Sequence, residues 1–178
     1  MNFIHLHTHS HYSLLDGLSK IDDMVKLAKD HRMPAIGLTD HGAMYGIIDF
    51  YSTCVKNSIK PIVGVEMYVA NRSRFDKEAG VDNKRYHLTV LAKNNAGYQN
   101  LIKLTTAAHL EGYYYKPRVD KELLRKHADG LIALSGCMAG ELARTIRVNP
   151  PAGGIKAEEV ILEYQSIFGK ENYYIEIM

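Results

Sequence analysis

Four histidines stand at alternate positions near the start of the chain, in His5-Leu-His-Thr-His-Ser-His11. In an extended backbone, alternate side chains share one face and are about 6.6 Å apart. Two such imidazoles can converge on one metal ion, at nitrogen–metal distances of about 2.0–2.1 Å. A polar strand end with solvated histidines is the other interpretation. Four histidines within seven residues favour metal binding, with His7 and His9 as the first pair.

More ligand-type residues follow apolar segments that read as buried strands. Asp40 and His41 come directly after Ala35-Ile-Gly-Leu38, and Glu66 interrupts the apolar run 61–69. A carboxylate is costly to bury unless it is paired or bound to a metal. We therefore expect His41 and Glu66 to be metal ligands. The other interpretations are a helix-cap region in which Asp40 caps and His41 is solvated, and a strand edge that exposes Glu66 to solvent. Asp40 is the candidate catalytic residue, because a carboxylate beside a histidine can orient its imidazole.

Three other residues have two interpretations each. Asp16 precedes Gly17, and Asp-Gly favours a turn whether or not the carboxylate binds a metal. His87 opens its predicted strand instead of ending it, so either that strand runs against the others or its boundary is misplaced. Cys137 follows the apolar segment 131–134. It is a soft ligand if ionised, or a small buried hydrophobic residue.

Composition excludes several classes of protein. The 178 residues suit one domain, and a formal net charge of +2 neither requires nor excludes a nucleic-acid partner. With only two cysteines no disulfide framework is predicted, which suits a reducing, cytoplasmic location. The N-terminus is unlike a signal peptide, and no apolar run is long enough to cross a membrane. GxGxxG, GxxxxGK[ST] and GxSxG motifs are absent, so nucleotide-binding and serine-nucleophile sites have no support.

Strands and helices alternate along the chain. The predicted strands are residues 3–7, 35–38, 61–69, 86–92, 131–134 and a last one from Tyr173. The predicted helices are residues 21–30, 47–57, 96–109, 121–127, 139–148 and 157–168. Ser19 is the predicted N-cap of the first helix and Asp120 that of the fourth. Buried apolar strands suit a parallel sheet covered by helices. An open doubly wound sheet and a closed β/α barrel both fit. Polar residues at the ends of several strands favour the barrel.

Two loops lie between these elements. The charged segment 71–85 is long enough to be functional or mobile. The segment Tyr113 to Val119 mixes aromatic and basic side chains, among them Tyr115, Lys116 and Arg118. Such a mixture is typical of a groove for single-stranded nucleic acid. Aromatic packing with solvated charges explains it equally well.

Histidine, carboxylate and thiolate ligands spread over several strand ends indicate more than one ion. A cluster of two or three ions clamps a phosphoryl group and activates water for in-line attack. The residues alone therefore predict hydrolysis of a phosphoester.

The motifs also resemble those of a known family. The segment 5–17 resembles the first motif of the polymerase and histidinol phosphatase (PHP) family, Thr39-Asp-His-Gly42 its second and Gly64-Val-Glu66 its third. The segments 61–66, 87–94, 97–101 and 134–137 resemble the N-terminal PHP domain of bacterial DNA polymerase III alpha subunits.

This resemblance implies a distorted (β/α)7-type barrel with a cluster of up to three Zn²⁺ or Mn²⁺ ions. The ligands carried over are His7, His9, Asp16, His41, Glu66, His87 and Cys137, whereas His5 and His11 would be bystanders. A late Asp-x-His motif of the family would lie beyond residue 178. We therefore expect residues 1–178 to be a single, C-terminally truncated PHP domain without its last barrel strands, which would be inactive alone and prone to self-association through unpaired edges.

Three functions remain open at this point. The resemblance implies part of a replicative DNA polymerase with a metal-dependent 3′–5′ exonuclease activity, whose partners are DNA and the other subunits of the polymerase III holoenzyme. A scaffold that braces the polymerase without catalysis is the alternative. A free-standing phosphatase is a third interpretation, which the polymerase-type segments argue against.

Overall fold

A computed structural model describes residues 3–14, 16–148 and 153–177. Six α-helices, one short 3-10 helix (Lys170–Asn172) and six strands are present in these ranges. The helices are α1 Ile21–Asp30, α2 Ile47–Lys56, α3 Asn95–Leu110, α4 Lys121–Lys126, α5 Glu141–Val148 and α6 Gly153–Phe168. The strands are β1 Ala35–Leu38, β2 Lys60–Ala70, β3 Arg85–Ala92, β4 Arg118–Val119, β5 Leu131–Leu134 and β6 Tyr173–Tyr174. No helix in the described ranges is long and apolar enough to cross a membrane.

The strands form one mixed sheet in the order β1-β2-β3-β5-β6, with β4 paired to β2. Strand β3 runs antiparallel to both β2 and β5, whereas the β1–β2, β2–β4 and β5–β6 pairs are parallel. The predicted α/β class is confirmed, and the sheet of the described residues does not close into a barrel. The expectation of an all-parallel sheet is wrong, because β3 reverses direction. The reversal explains the position of His87. Because β3 runs opposite to β2 and β5, its start lies at the same edge of the sheet as the ends of those two strands.

The predicted strand over residues 3–7 is also wrong, since this segment has no regular strand pairing. It nevertheless runs beside β1, where the Gly37 amide donates to the His5 carbonyl at 2.7 Å and the Thr39 amide donates to the Thr8 carbonyl at 2.9 Å. A Cβ at Gly37 would lie 2.6 Å from the Leu6 carbonyl oxygen. Glycine at this position therefore lets the histidine-bearing segment approach β1 closely.

The helix caps were predicted with mixed success. Asp120 caps α4 as predicted, because its side chain accepts a hydrogen bond from the Leu123 amide. The residue that caps α1 is Lys20 instead of Ser19, and it makes no side-chain cap hydrogen bond. Asn94, which was not predicted as a cap, accepts from the Gly97 amide at the start of α3.

Two clusters of buried apolar residues form the core. One lies between the sheet and helices α3, α4 and α6, and the other joins α1, α2 and β1. Along β2, Val65, Met67 and Val69 belong to the first cluster. Because side chains alternate along a strand, Glu66 and Tyr68 face the other side of the sheet. The fold thus places the polar residues of β2 on the face opposite the helical core.

Candidate metal centre

The carboxylate of Glu66 is the centre of a cluster of imidazoles, although its side chain is only 1% exposed. Its Oε1 lies 2.9 Å from Nδ1 of His87 and 3.4 Å from Nε2 of His7. Its Oε2 lies 2.5 Å from Nδ1 of His41 and 3.5 Å from Nε2 of His9. Four histidines from three different parts of the chain therefore converge on one buried carboxylate.

A second carboxylate holds His7 from behind. Nδ1 of His7 lies 2.8 Å from Oε1 of Glu176 and 3.1 Å from the hydroxyl of Thr89. The Glu176 amide in turn donates to the Ser135 hydroxyl at 2.9 Å. In the neutral form of His7, a proton on Nδ1 that is shared with Glu176 leaves the lone pair on Nε2, the nitrogen on the Glu66 side. Carboxylates orient metal-binding histidines in this way in many proteins.

The predicted catalytic residue Asp40 makes different contacts from those expected. Its carboxylate accepts hydrogen bonds from the Ser10 amide at 2.7 Å, the Ser10 hydroxyl at 2.8 Å and the Ser13 hydroxyl at 2.6 Å. Among the described contacts, no imidazole donates to it. Asp40 therefore ties the segment that carries His7 and His9 to the end of β1, instead of orienting an imidazole directly.

Asp16 and Cys137 each contact one histidine of the cluster. Oδ2 of Asp16 is 2.8 Å from Nε2 of His41, and the Asp16 side chain is 61% exposed. The Cys137 thiol lies 3.6 Å from Nδ1 of His87 and 3.8 Å from Oε1 of Glu66. Each residue therefore reaches a histidine that also contacts Glu66. All seven candidate ligands come together, whereas His5 and His11 are exposed.

Unpaired polar atoms show whether this cluster suits a metal. Four buried atoms of the cluster lack a hydrogen-bond partner within the described residues: Nε2 of His7, Nδ1 of His9, Nδ1 of His41 and Oε2 of Glu66. His41 and Glu66 approach to 2.5 Å but without hydrogen-bond geometry. Unpaired buried polar atoms are costly. Two overlapping sets of ligand atoms, His7–His9–Glu66 and His41–Glu66–His87, are compact enough for a cation. The donor set fits divalent metal ions.

The protonation of the cluster is governed by burial and by Glu66. Burial alone would lower the pKa of His7, but the hydrogen bond with Glu176 and the nearby charge of Glu66 outweigh burial and raise the pKa to about 9. Burial and the neighbouring His41 lower the pKa of His9. Burial would raise the pKa of Glu66, but its close contacts with His41, His7 and His87 outweigh burial and hold this pKa far below its usual value. Burial raises the pKa of the Cys137 thiol. Glu66 is therefore ionised, as a metal ligand must be.

The predicted nucleic-acid-binding residues separate into two groups. Tyr115 is 64% exposed and Lys116 is partly exposed, so both are accessible. Arg118 is 0% exposed, and its guanidinium donates to the carbonyls of Gly112, Asp82, Arg74 and Asp76. A contact of Arg118 with nucleic acid is therefore incompatible with this structure. The sequence shows its charge but not its burial under the loop 71–85.

Sequence reasoning missed four residues that support the cluster: Ser10, Ser13, Thr89 and Glu176. Two of them carried a signal. Thr89 stands two residues after His87 in a strand, and so shares its face. Glu176 interrupts the apolar pair Ile175 and Ile177, as Glu66 interrupts its own apolar run. Ser10 and Ser13 carry no comparable signal, because serine is common in exposed turns.

Comparison with known proteins gave consistent matches. A family model described as "PHP domain" matches residues 5–178. The chain is 49% identical over 178 residues to the DNA polymerase III subunit alpha of Treponema pallidum, a match covering 99% of this chain and 15% of that protein. It is 47% identical over 176 residues to the same subunit of Borreliella burgdorferi, with 98% and 15% covered. The chain thus spans about 15% of the length of these relatives.

A solved structure of an amidohydrolase from Chromobacterium violaceum is similar to this chain at a TM-score of 0.44 and 23% identity. That match covers 61% of this chain and 33% of the amidohydrolase chain.

Proposed function

This chain belongs to the PHP domain family, and we propose that it is the PHP domain of a DNA polymerase III alpha subunit, where it hydrolyses phosphoesters with divalent metal ions. One observation carries the proposal: four imidazoles converge on the buried carboxylate of Glu66, and four buried atoms of that cluster lack partners. The sequence identity between this chain and the two polymerase subunits described above supports the assignment to the polymerase subunit.

The geometry suggests how the ligands would be shared. His7, His9 and Glu66 would hold one ion, and His41, Glu66 and His87 a second, so Glu66 would belong to both sites. Asp16 and Cys137 would complete these sites or hold the third ion that the family resemblance implies. Histidine and carboxylate suit Zn²⁺ or Mn²⁺, and the thiol of Cys137 favours Zn²⁺. Bound ions would polarise a phosphoryl oxygen and activate water.

The protein itself contributes position and charge. Glu176 and Thr89 keep the lone pair of His7 Nε2 directed into the centre, and Asp40 holds the segment that carries His7 and His9. Although burial opposes them, contacts with Glu66 and Asp16 also raise the pKa of His41. Because an ionised carboxylate and neutral imidazoles are the forms that bind cations, metal binding would release protons from His7 and His41. We further propose that the substrate in the intact subunit is the 3′ end of a DNA strand, with the other polymerase III subunits as partners.

The experiment compares His41→Ala with wild type in the full-length subunit purified alone. A 5′-labelled single-stranded oligonucleotide is incubated with Mn²⁺ or Zn²⁺, and shortening from the 3′ end is measured. We expect His41→Ala to lose at least about 100-fold in rate, since it removes a ligand to the ions that activate water. His31→Ala is the matched control, because His31 is an exposed residue at the end of α1.

Unchanged shortening by His41→Ala would refute the proposal. Metal content of the 178-residue chain, measured by mass spectrometry, provides a second test, because the variant should bind less metal than wild type. A wild-type protein that binds metal and loses thermal stability on chelation, yet shortens no DNA, would instead indicate a structural role for the centre.

A further inference from the structure

A groove of about 310 Å³ opens directly beside the candidate metal centre. Its lining includes Asp16 and His41 from the centre, together with Tyr45, Tyr113, Tyr115 and Lys116. Small-molecule sites occupy cavities of about 300–1,000 Å³, so the groove is large enough for a small planar group. A ligand in this groove would adjoin the His41 side of the cluster.

Three tyrosine rings of the groove are available to a ligand. The exposed fractions are 64% for Tyr45, 55% for Tyr113 and 64% for Tyr115. Exposed aromatic rings in one groove are unusual for packing, because their apolar faces remain in contact with water. Such rings are, however, what nucleobases stack on in single-strand-binding proteins.

Tyr115 is presented by a strained backbone. It has a φ of 60°, in the left-handed region that bulky residues rarely adopt. The turn is closed by the Tyr114 amide, which donates to the Lys116 carbonyl at 3.1 Å. Backbone strain of this kind often accompanies functional positions. Glycine would adopt the same turn without strain. A tyrosine at position 115 therefore lowers the free energy of unfolding, and the packing of its exposed ring does not explain why it is there.

Buried Arg118 supports this turn from behind. Its guanidinium carbon lies 5.3 Å from the centroid of the Tyr114 ring, and the Tyr114 and Tyr115 rings meet edge to face at 4.7 Å. Because Arg118 is fixed by four carbonyls, it holds Tyr114, and Tyr114 holds the ring of Tyr115. Arg118 is thus a positioning residue for the groove.

Two cations lie beside Tyr68, a lining residue of the groove that adjoins His41 of the centre. The ammonium of Lys116 is 5.7 Å from the centroid of Tyr68, whose ring stacks on His41 at 5.9 Å. The guanidinium of Arg85 is 5.3 Å from the same ring. The carboxylate of Asp16 opposes them, but it is held by His41 and is a candidate metal ligand. Two cations flanking the path to the centre suit a phosphate backbone.

We propose that this groove binds the terminal nucleotides of a single DNA strand, with a base stacked on Tyr115 and a backbone phosphate at Lys116. The choice of DNA rests on the proposed function, since the groove adjoins a centre suited to phosphoester hydrolysis. The groove would then select a nucleic-acid end over a small phosphate ester, which has no base to stack.

The first test measures binding without catalysis. A fluorescein-labelled hexamer of thymidylate is titrated with the 178-residue chain in the presence of EDTA, and anisotropy reports the affinity. We expect Tyr115→Leu to weaken binding about tenfold or more, because the loss of one base–aromatic stack has an effect of this size. Tyr115→Phe should bind within about twofold of wild type. Tyr51→Leu, which removes a tyrosine that is 53% exposed on α2, should bind like wild type.

Two more variants separate binding from folding. Tyr115→Gly removes both the ring and the backbone strain, so it should lose affinity while its Tm stays the same or rises. Lys116→Gln should reduce the slope of log affinity against log salt by about 0.7, the value for one phosphate contact on a single strand.

Unchanged affinity of Tyr115→Leu, or an equal loss with Tyr51→Leu, would overturn the proposal; unchanged affinity is also the result expected if the groove binds a peptide. In the full-length subunit, Tyr115→Leu should raise the KM for the oligonucleotide and leave kcat unchanged. Because the EDTA titration requires no hydrolysis, it can refute binding in the groove without refuting the proposed metal centre. The hydrolysis experiment with His41→Ala can likewise refute the metal centre without refuting binding in the groove.

Discussion

Glu66 and His41 are paired through both their backbones and their side chains. The Gly42 amide donates to the Glu66 carbonyl at 2.9 Å, and the Glu66 amide donates to the Asp40 carbonyl at 3.1 Å. The side chains then meet at 2.5 Å between Oε2 and Nδ1. The ends of β1 and the middle of β2 thus fix both groups through main-chain hydrogen bonds. The sheet and the turn that follows β1 therefore position Glu66 and His41 through the main chain.

Replacing Glu176 by Gln should weaken metal binding without unfolding the protein. The carboxylate lies 2.8 Å from Nδ1 of His7, and its loss removes the charge that orients this ligand. Loss of such a partner typically costs about 10- to 100-fold in metal affinity. Competition with a chelator for Zn²⁺, followed on the 178-residue chain, measures the effect. Glu171→Gln is the control, since Glu171 is an exposed carboxylate nearby; equal affinities for both variants would contradict the role of Glu176.

Replacing Asp40 by Asn should destabilise the fold. The buried carboxylate accepts three hydrogen bonds from Ser10 and Ser13, and an amide presents an NH₂ group where one of these donors needs an oxygen. Hydrogen bonds to charged groups contribute about 1.5–3 kcal/mol, so we expect a loss of this order in the free energy of unfolding. Urea denaturation measures it. Asp129→Asn, at an exposed position, should change stability by less than about 0.5 kcal/mol, and an equally small change for Asp40→Asn would refute this role.

Asp82 should make stability depend on pH in the acid range. Its carboxylate accepts hydrogen bonds from the Arg72 guanidinium and the Glu78 amide, and the Arg72 contact holds the pKa of Asp82 below its ordinary value. A depressed pKa contributes stability above the unfolded value, about 3.9, and this contribution is lost as the pH falls through the folded pKa.

The Asp82→Asn variant should therefore be less stable than wild type near neutral pH, and the difference should shrink below about pH 4. Urea midpoints measured from pH 2 to pH 7 test this expectation. Asp76→Asn serves as a comparison, since its carboxylate is half-exposed and lies 3.8 Å from Nε of Arg72. A difference that stays constant with pH would contradict the assignment.

Much of the fold was predictable from local pattern. Apolar stripes at helical spacing predicted α1 and α2 to within a residue or two, and the buried apolar runs predicted β1, β2 and β5. The direction of β3 was not predictable, because an apolar run reads the same in both orientations and its neighbours decide its pairing. The segment 3–7 also looked like a strand, yet it pairs with β1 only through isolated hydrogen bonds.

The sequence by itself determined which candidate metal ligands the chain carries, because histidine, carboxylate and thiol are identified by residue type and their positions near strand ends follow from apolar runs. Only the tertiary structure decided which groups meet. In the structure, Glu66 is the carboxylate that four histidines contact. Glu176, more than a hundred residues further along the chain, is the partner of His7. The tertiary structure also changed the role assigned to Arg118. Its charge suggests a contact with nucleic acid, but it is buried and supports the ring of Tyr114. Burial and long-range contact depend on how strands pair across the sheet, and no local pattern specifies that pairing.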